Sequence, residues 1–140
     1  MKLLKPMTAL ILLTSVAILL AMTNCTTTKA TQPTEQVVTV TPQEFQAGIE
    51  KGGVQLVDVR SSDEYSEGHI ADAVNIDVQE PDFQAEATRV LQKDKKVYVY
   101  CRSGRRSLLA AEMLAKDGYT VVDLDGGILG WEKAGLPVVK

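Results

Sequence analysis

Cysteine and histidine are nearly missing from this 140-residue chain, which holds only Cys25, Cys101 and His69. Two cysteines cannot build a disulfide-rich scaffold. Three scattered N/S ligands also fall short of the four that a structural zinc site usually takes. Excess positive charge is absent too. Lys plus Arg number 15 against 18 Asp plus Glu, a net charge of -3. That balance excludes a histone-like protein that coats nucleic acid, so no nucleic-acid partner is expected. Nowhere does an apolar run reach the ~20 residues that cross a bilayer. No internal repeat is visible, and Gly126-Gly127 lacks the pattern of a nucleotide-binding loop. What is present is 45% hydrophobic and 24% charged, too apolar for a disordered chain and sufficient for a packed core. The length sets one domain as the expectation.

The longest apolar run, residues 9–22, reads ALILLTSVAILLAM behind Lys2, Lys5 and Pro6. Its length and basic flank suit the apolar region of an export signal rather than a span; an uncleaved tilted anchor or a buried helix are the alternatives. The run ends in Met22-Thr23-Asn24-Cys25. This resembles the lipobox of bacterial lipoproteins, an apolar residue and two small ones before a Cys, although Met22 and Asn24 depart from the commonest Leu and Gly or Ala. The resemblance implies that residues 1–24 are a signal peptide and that Cys25 is the lipidated first residue of the mature chain. The protein would then sit in the bacterial cell envelope, held to a membrane through Cys25 and facing the periplasm or the exterior. A Cys25–Cys101 disulfide or an idle thiol are the other readings of Cys25. Residues 25–37 are small and polar, a flexible tether. Loss of Lys2 and Lys5 leaves 13 basic against 18 acidic residues, a net charge of -5. Charge alone would therefore not hold the domain to anionic lipid.

From residue 38 to residue 140 the pattern alternates strand and helix. Strands are expected at 37–40, 54–59, 73–76, 96–100 and 120–124. Helices are expected at 42–51, from Ser62 to about Gly68, and at 81–91, 106–116 and 128–134. Thr41-Pro42-Gln43-Glu44 and Ser61-Ser62-Asp63-Glu64 both read as capping boxes. Phe83, Ala87 and Leu91 recur at helical spacing. Alternation of this kind implies an α/β domain, a parallel sheet with helices on both faces and right-handed crossovers. In such sheets ligands sit at the carboxyl ends of the strands.

One strand end is chemically distinctive. Val97-Tyr98-Val99-Tyr100 delivers Cys101, followed by Arg102, Ser103, Gly104, Arg105, Arg106 and Ser107 and then a helix. A tight loop before a helix start turns backbone N–H groups inward, and the helix dipole adds partial positive charge. Three arginines add full charges. These effects favour an anion at the sulfur and attract a small oxyanion. Gly104 permits a loop conformation that other residues resist. Arginines at a helix start oppose the dipole, so their presence there points to an anionic partner. A buried, inert Cys that merely ends a strand is the bland alternative.

Four blocks resemble the rhodanese family, in the family's order. They are LVDVR at 56–60, EYSEGHIADAVNI at 64–76, YCRSGRRS at 100–107, and LDGGILGW at 124–131 with GLPV at 135–138. The resemblance implies a five-stranded parallel sheet flanked by helices on both faces. It also implies sulfurtransferase chemistry at Cys101 without metal or organic cofactor. In that chemistry Cys101 takes the outer sulfur of a small anionic donor such as thiosulfate, holds it as a persulfide and passes it to cyanide or a thiol. The loop from Arg102 through Ser103, Gly104, Arg105 and Arg106 would hold donor and persulfide. Asp58 and Arg60, at a neighbouring strand end, would support the site by pairing with each other or orienting the loop; donor contact by Arg60 is the alternative. A monomer is expected.

Two competitors share the fold. Cys-dependent phosphatases and arsenate reductases resemble C-x5-R, with Arg six residues after the Cys. Here that position is Ser107, and Arg106 lies one residue short. The shorter loop suits a single sulfur rather than a tetrahedral phosphate. A non-catalytic rhodanese module used for binding typically lacks the Cys. The remaining residues read as structural: His69 in a turn, Glu64 capping its helix or pairing with Arg60, and Trp131 packing the last helix.

Overall fold

The computed structural model describes residues 36–140. The expected signal peptide, Cys25 and all but the last two residues of the expected tether lie outside the described residues. Among the described residues no helix is long and apolar enough to cross a membrane.

Ten elements alternate along the chain: β1 Val37–Val40, α1 Pro42–Glu50, β2 Gln55–Asp58, α2 Ser62–Glu67, β3 Val74–Asn75, α3 Phe83–Val90, β4 Val97–Tyr100, α4 Arg105–Lys116, β5 Val121–Leu124 and α5 Gly127–Lys133. The strands form one sheet in the order β1-β5-β4-β2-β3, and every neighbouring pair is parallel. The expected α/β architecture of five parallel strands with helices on both faces is the observed one.

Local chemistry sets the helix starts. Thr41 and Ser61 each form a full capping box, the hydroxyl accepting from the N3 amide while Glu44 or Glu64 reaches back to the cap amide. Each cap stabilises its helix by about 1 kcal/mol. The third expected helix begins later than the pattern suggests. Phe83 N donates to Glu80 O at 3.1 Å, and this turn keeps Pro81 and Asp82 out of the helix. The third strand shrinks to Val74–Asn75, as befits an edge strand with one partner.

Alternate side chains of the central strands fill two cores. Val57, Val97, Val99, Val121 and Cys101 pack beneath α3 and α4, with Phe83, Ala87, Ala110, Ala111 and Leu114. Leu56, Tyr100, Val122 and Leu124 pack beneath α1 and α5, with Phe45, Ile128 and Trp131. Burial on both faces explains why these strands are rich in valine rather than alternating apolar with polar residues. Trp131 closes the second core, its indole N–H donating to Pro137 O at 2.9 Å.

Candidate active site

Strand β4 ends at the carboxyl edge of the sheet, and Cys101 is the next residue. Its neighbour in the sheet, β2, ends at Asp58, registered against Tyr100. The two sequence blocks are thus adjacent in space. Cys101 is a free thiol and wholly buried.

The loop after it is shaped by backbone contacts. Gly104 stands at φ 96°, ψ -11° as the N-cap of α4, a left-handed conformation that glycine adopts without steric cost. In this pose its N–H donates to Cys101 Sγ at 3.1 Å. On the other side, α5 holds the loop by its carbonyls. Ile128 N donates to Cys101 O at 2.8 Å and Leu129 N to Arg102 O at 3.2 Å. Gly127 makes this approach possible, since a Cβ there would come within 2.5 Å of Cys101 O. Gly126-Gly127 forms the expected turn into the last helix, and Gly127 also makes room for the cysteine loop.

Asp58 and Arg60 form a buried ion pair. Arg60 Nη2 lies 2.6 Å from Asp58 Oδ2, and Arg60 Nε and its own amide each donate to Oδ1 at 3.0 Å. Arg60 Nη2 also donates to Gly68 O at 2.7 Å, and its guanidinium lies 5.7 Å from the Tyr100 ring centroid. Arg60 commits Nε and Nη2 to bracing the strand end beside Cys101, while its Nη1 has no hydrogen-bond partner among the described residues and Arg60 also lines the cleft beside the loop.

The three loop arginines do not act alike. Arg106 grips Glu64 in a bidentate pair, Nη1 to Oε2 at 2.8 Å and Nη2 to Oε1 at 2.7 Å. Of the two expected roles of Glu64, the cap on α2 is observed, while its ion-pair partner is Arg106 instead of Arg60; Arg106 thereby clamps α2 to α4. The Arg106 contact, with further help from the Ser61 cap, holds the Glu64 carboxyl down at about 2 despite its partial burial. Arg102, Ser103 and Arg105 are exposed. Beside the loop a cleft of about 250 Å³ is lined by Arg102, Glu64, Leu129 and Glu132 among others.

His69 takes no part in this cluster. Its ring stacks on Tyr65 at 3.8 Å between centroids, its Nδ1 lies 3.0 Å from Tyr65 O, and its backbone bridges to Val139. Two buried polar residues under the loop had no local sequence signal: Ser107 and Asp123, both almost inaccessible to solvent. Among the described residues no three His, Cys, Asp or Glu side chains are grouped to hold a metal ion.

Fold and site together define an α/β domain that holds a cysteine at a strand end inside a six-residue loop leading into a helix. The Rhodanese-like domain family model matches residues 41–134, and the chain belongs to that family. Among its relatives is a protein of Allochromatium vinosum named as a sulfurtransferase. It is 39% identical over 87 residues, covering 61% of this chain and 78% of the relative. Among solved structures, a rhodanese-related protein of Thermoplasma volcanium is 35% identical with a TM-score of 0.64, covering 72% of this chain and 96% of the other. A Rhodopseudomonas palustris protein described as a "possible tyrosine phosphatase" is 28% identical with a TM-score of 0.61, covering 76% and 88%.

Proposed function

We propose that the protein is a sulfurtransferase whose carrier is Cys101. The Cys101 thiolate attacks the outer sulfur of thiosulfate or a similar small anionic donor. The donor S–S bond breaks, sulfite leaves with the electron pair, and Cys101 keeps the transferred sulfur as a persulfide. Cyanide or a thiolate then attacks that outer sulfur, returning Cys101 to the thiolate. The Gly104 N–H aimed at Sγ is the donor best set to stabilise the anionic persulfide. Arg102 and Arg105, exposed and without ion-pair partners among the described residues, are the cations left to hold the donor. Because Cys101 is wholly buried, side chains at the mouth of the loop must give way before a donor reaches Sγ.

The observation that carries this reading is the size of the loop. Six residues, Cys101 to Arg106, close on one sulfur, and the seventh is a buried serine where a phosphatase loop carries its arginine. Relatives named as sulfurtransferases support it. The phosphatase description of the R. palustris protein makes the discriminating experiment plain. The wild-type protein and Cys101→Ser are each supplied with thiosulfate plus cyanide, and separately with an aryl phosphate. Thiocyanate formed only by the wild type, with no phosphate release, is expected. Phosphate release that depends on Cys101, without thiocyanate, contradicts the proposal.

On the same reading the enzyme works in the cell envelope, tethered through lipidated Cys25. The apolar run at 9–22, the residues Met22-Thr23-Asn24-Cys25 and the polar stretch behind them support this part of the proposal.

A further inference from the structure

The cleft of about 250 Å³ between α2 and α5 lies beside the cysteine loop, and the loading of sulfur onto Cys101 leaves it unused. Its wall adjoins the reacting residue. Arg102, which follows Cys101, lines it, and so does Ile128, whose N–H donates to Cys101 O at 2.8 Å. Glu64, also in the wall, is clamped to Arg106 at the far end of the loop. Arg60 lines the cleft too and is only 5% exposed, yet its guanidinium is not fully spent. Of the five N–H groups of an arginine, the one on Nε and the two on Nη2 go to Asp58 and to Gly68 O. The two on Nη1 have no partner among the described residues. Asp123 Oδ1 is the only partnerless side-chain atom there that is sealed from solvent, so Nη1 keeps an opening, onto the cleft that Arg60 lines. Glu67 on α2 and Glu132 on α5 add carboxylates without ion-pair partners among the described residues. Leu129 and Val138 supply apolar surface.

A guanidinium nitrogen with two free N–H groups, held rigidly by a buried ion pair, suits a carboxylate or another small oxyanion. The charge balance narrows the choice. Asp58 offsets Arg60 and Arg106 offsets Glu64. The charges left over in the wall are one cation, Arg102, and two carboxylates, Glu67 and Glu132. A dianion such as thiosulfate gains little from that balance, whereas a ligand with a carboxylate at one end and an ammonium at the other meets both signs at once. The volume lies below the ~300–1,000 Å³ of sites for drug-sized ligands, so the cleft takes a molecule of amino-acid size. We propose that this cleft is the acceptor subsite, and that its ligand is a small zwitterionic aminothiol of which cysteine is the simplest. The carboxylate sits on Arg60 Nη1, with Arg102 on the loop side. The ammonium faces Glu67 and Glu132, and the thiolate is turned toward the loop. That thiolate attacks the outer sulfur of the Cys101 persulfide. The S–S bond breaks, Cys101 keeps the electron pair as a thiolate, and the acceptor leaves as its own persulfide. Donor and acceptor arrive in separate half-reactions, so Arg102 serves first one anion and then the other.

This subsite rests on the sulfurtransferase reading, and its test separates the two. Protein loaded with thiosulfate and freed of donor is discharged, in separate series, by L-cysteine, cysteamine, 3-mercaptopropionate or 2-mercaptoethanol. Loss of the sulfur is followed by intact-protein mass. The four thiols carry both charges, the ammonium alone, the carboxylate alone and neither. Half-saturating concentrations are compared as thiolate, which removes differences in thiol ionisation. L-Cysteine is expected to half-saturate about ten-fold below either singly charged thiol, as one charge-assisted bond at each end implies. The double variant Glu67→Gln with Glu132→Gln, at two exposed positions, is expected to raise the cysteine value about ten-fold and to leave that of 3-mercaptopropionate no higher than in wild type. A loaded wild-type protein that does not favour cysteine over both singly charged thiols overturns the subsite, whatever the double variant does. So does a loaded double variant that keeps the full preference for cysteine over 3-mercaptopropionate. A wild-type protein that gains no sulfur from thiosulfate overturns the sulfurtransferase reading instead, and the subsite with it.

Discussion

Three arginines follow Cys101 within five residues, and in sequence they look equivalent. In space, Arg106 is half of a bidentate ion pair with Glu64, while Arg102 and Arg105 extend into solvent. Only a contact across 42 positions separates them, and nothing near residue 106 announces it. The Asp58–Arg60 pair was legible because its members stand two residues apart at one strand end. The difference predicts kinetics. Arg102→Ala should raise the thiosulfate KM by about five- to ten-fold with kcat little changed, as expected when a solvated charge-assisted contact to a ground-state anion is removed. An unchanged KM in steady-state assays would remove Arg102 from donor binding.

Among the elements, α2 is six residues long and has no fully buried residue, only Tyr65 packing part-way against the core, so its ends weigh heavily in its stability. Glu64 serves it twice, closing the capping box on Ser61 and receiving Arg106 from α4. The capping box was visible as Ser61-Ser62-Asp63-Glu64, whereas the clamp between helices was not, because it depends on how α2 and α4 meet. A pH dependence follows from the depressed carboxyl. Its ordinary value is 4.5 and its folded value about 2. The folded state holds this group ionised more strongly than the unfolded chain does. The stabilisation is therefore fully present above pH 4.5 and is lost as pH falls through about 2. Glu64→Gln should melt below wild type at pH 7, and the gap should close progressively between those two values. A gap that does not change with pH in thermal melts would show that Glu64 acts through packing rather than charge.

For the whole molecule, the strand–helix alternation was enough to give the architecture. Five valine-rich segments separated by helical spacings leave a parallel sheet as the natural way to bury both strand faces. The edges of elements were less legible. A turn over 80–83 delays α3, and β3, with a single sheet partner, stops after two residues. The contact between Thr39 and the buried Asp123 was not legible at all, since it joins β1 and β5, which only the strand order brings together. Charge also divides by region: the chain is acidic overall, with 15 basic and 18 acidic residues, yet three of the basic ones crowd the loop after Cys101. Cys25→Ala should shift the full-length protein from the membrane fraction to the soluble fraction while leaving sulfur transfer by the folded domain unchanged, because Cys25 lies outside the domain. Retention in the membrane fraction would argue for anchoring by the apolar run itself.

The central claim is that Cys101 carries sulfur, and intact-protein mass spectrometry tests it most directly. The reduced protein is incubated with thiosulfate, freed of donor and weighed, then treated with cyanide and weighed again. The account predicts a gain of one sulfur atom, located at Cys101 by peptide fragmentation, lost on cyanide treatment and absent in Cys101→Ser. A wild-type mass that does not change with thiosulfate, or a sulfur adduct that persists in Cys101→Ser, would contradict it.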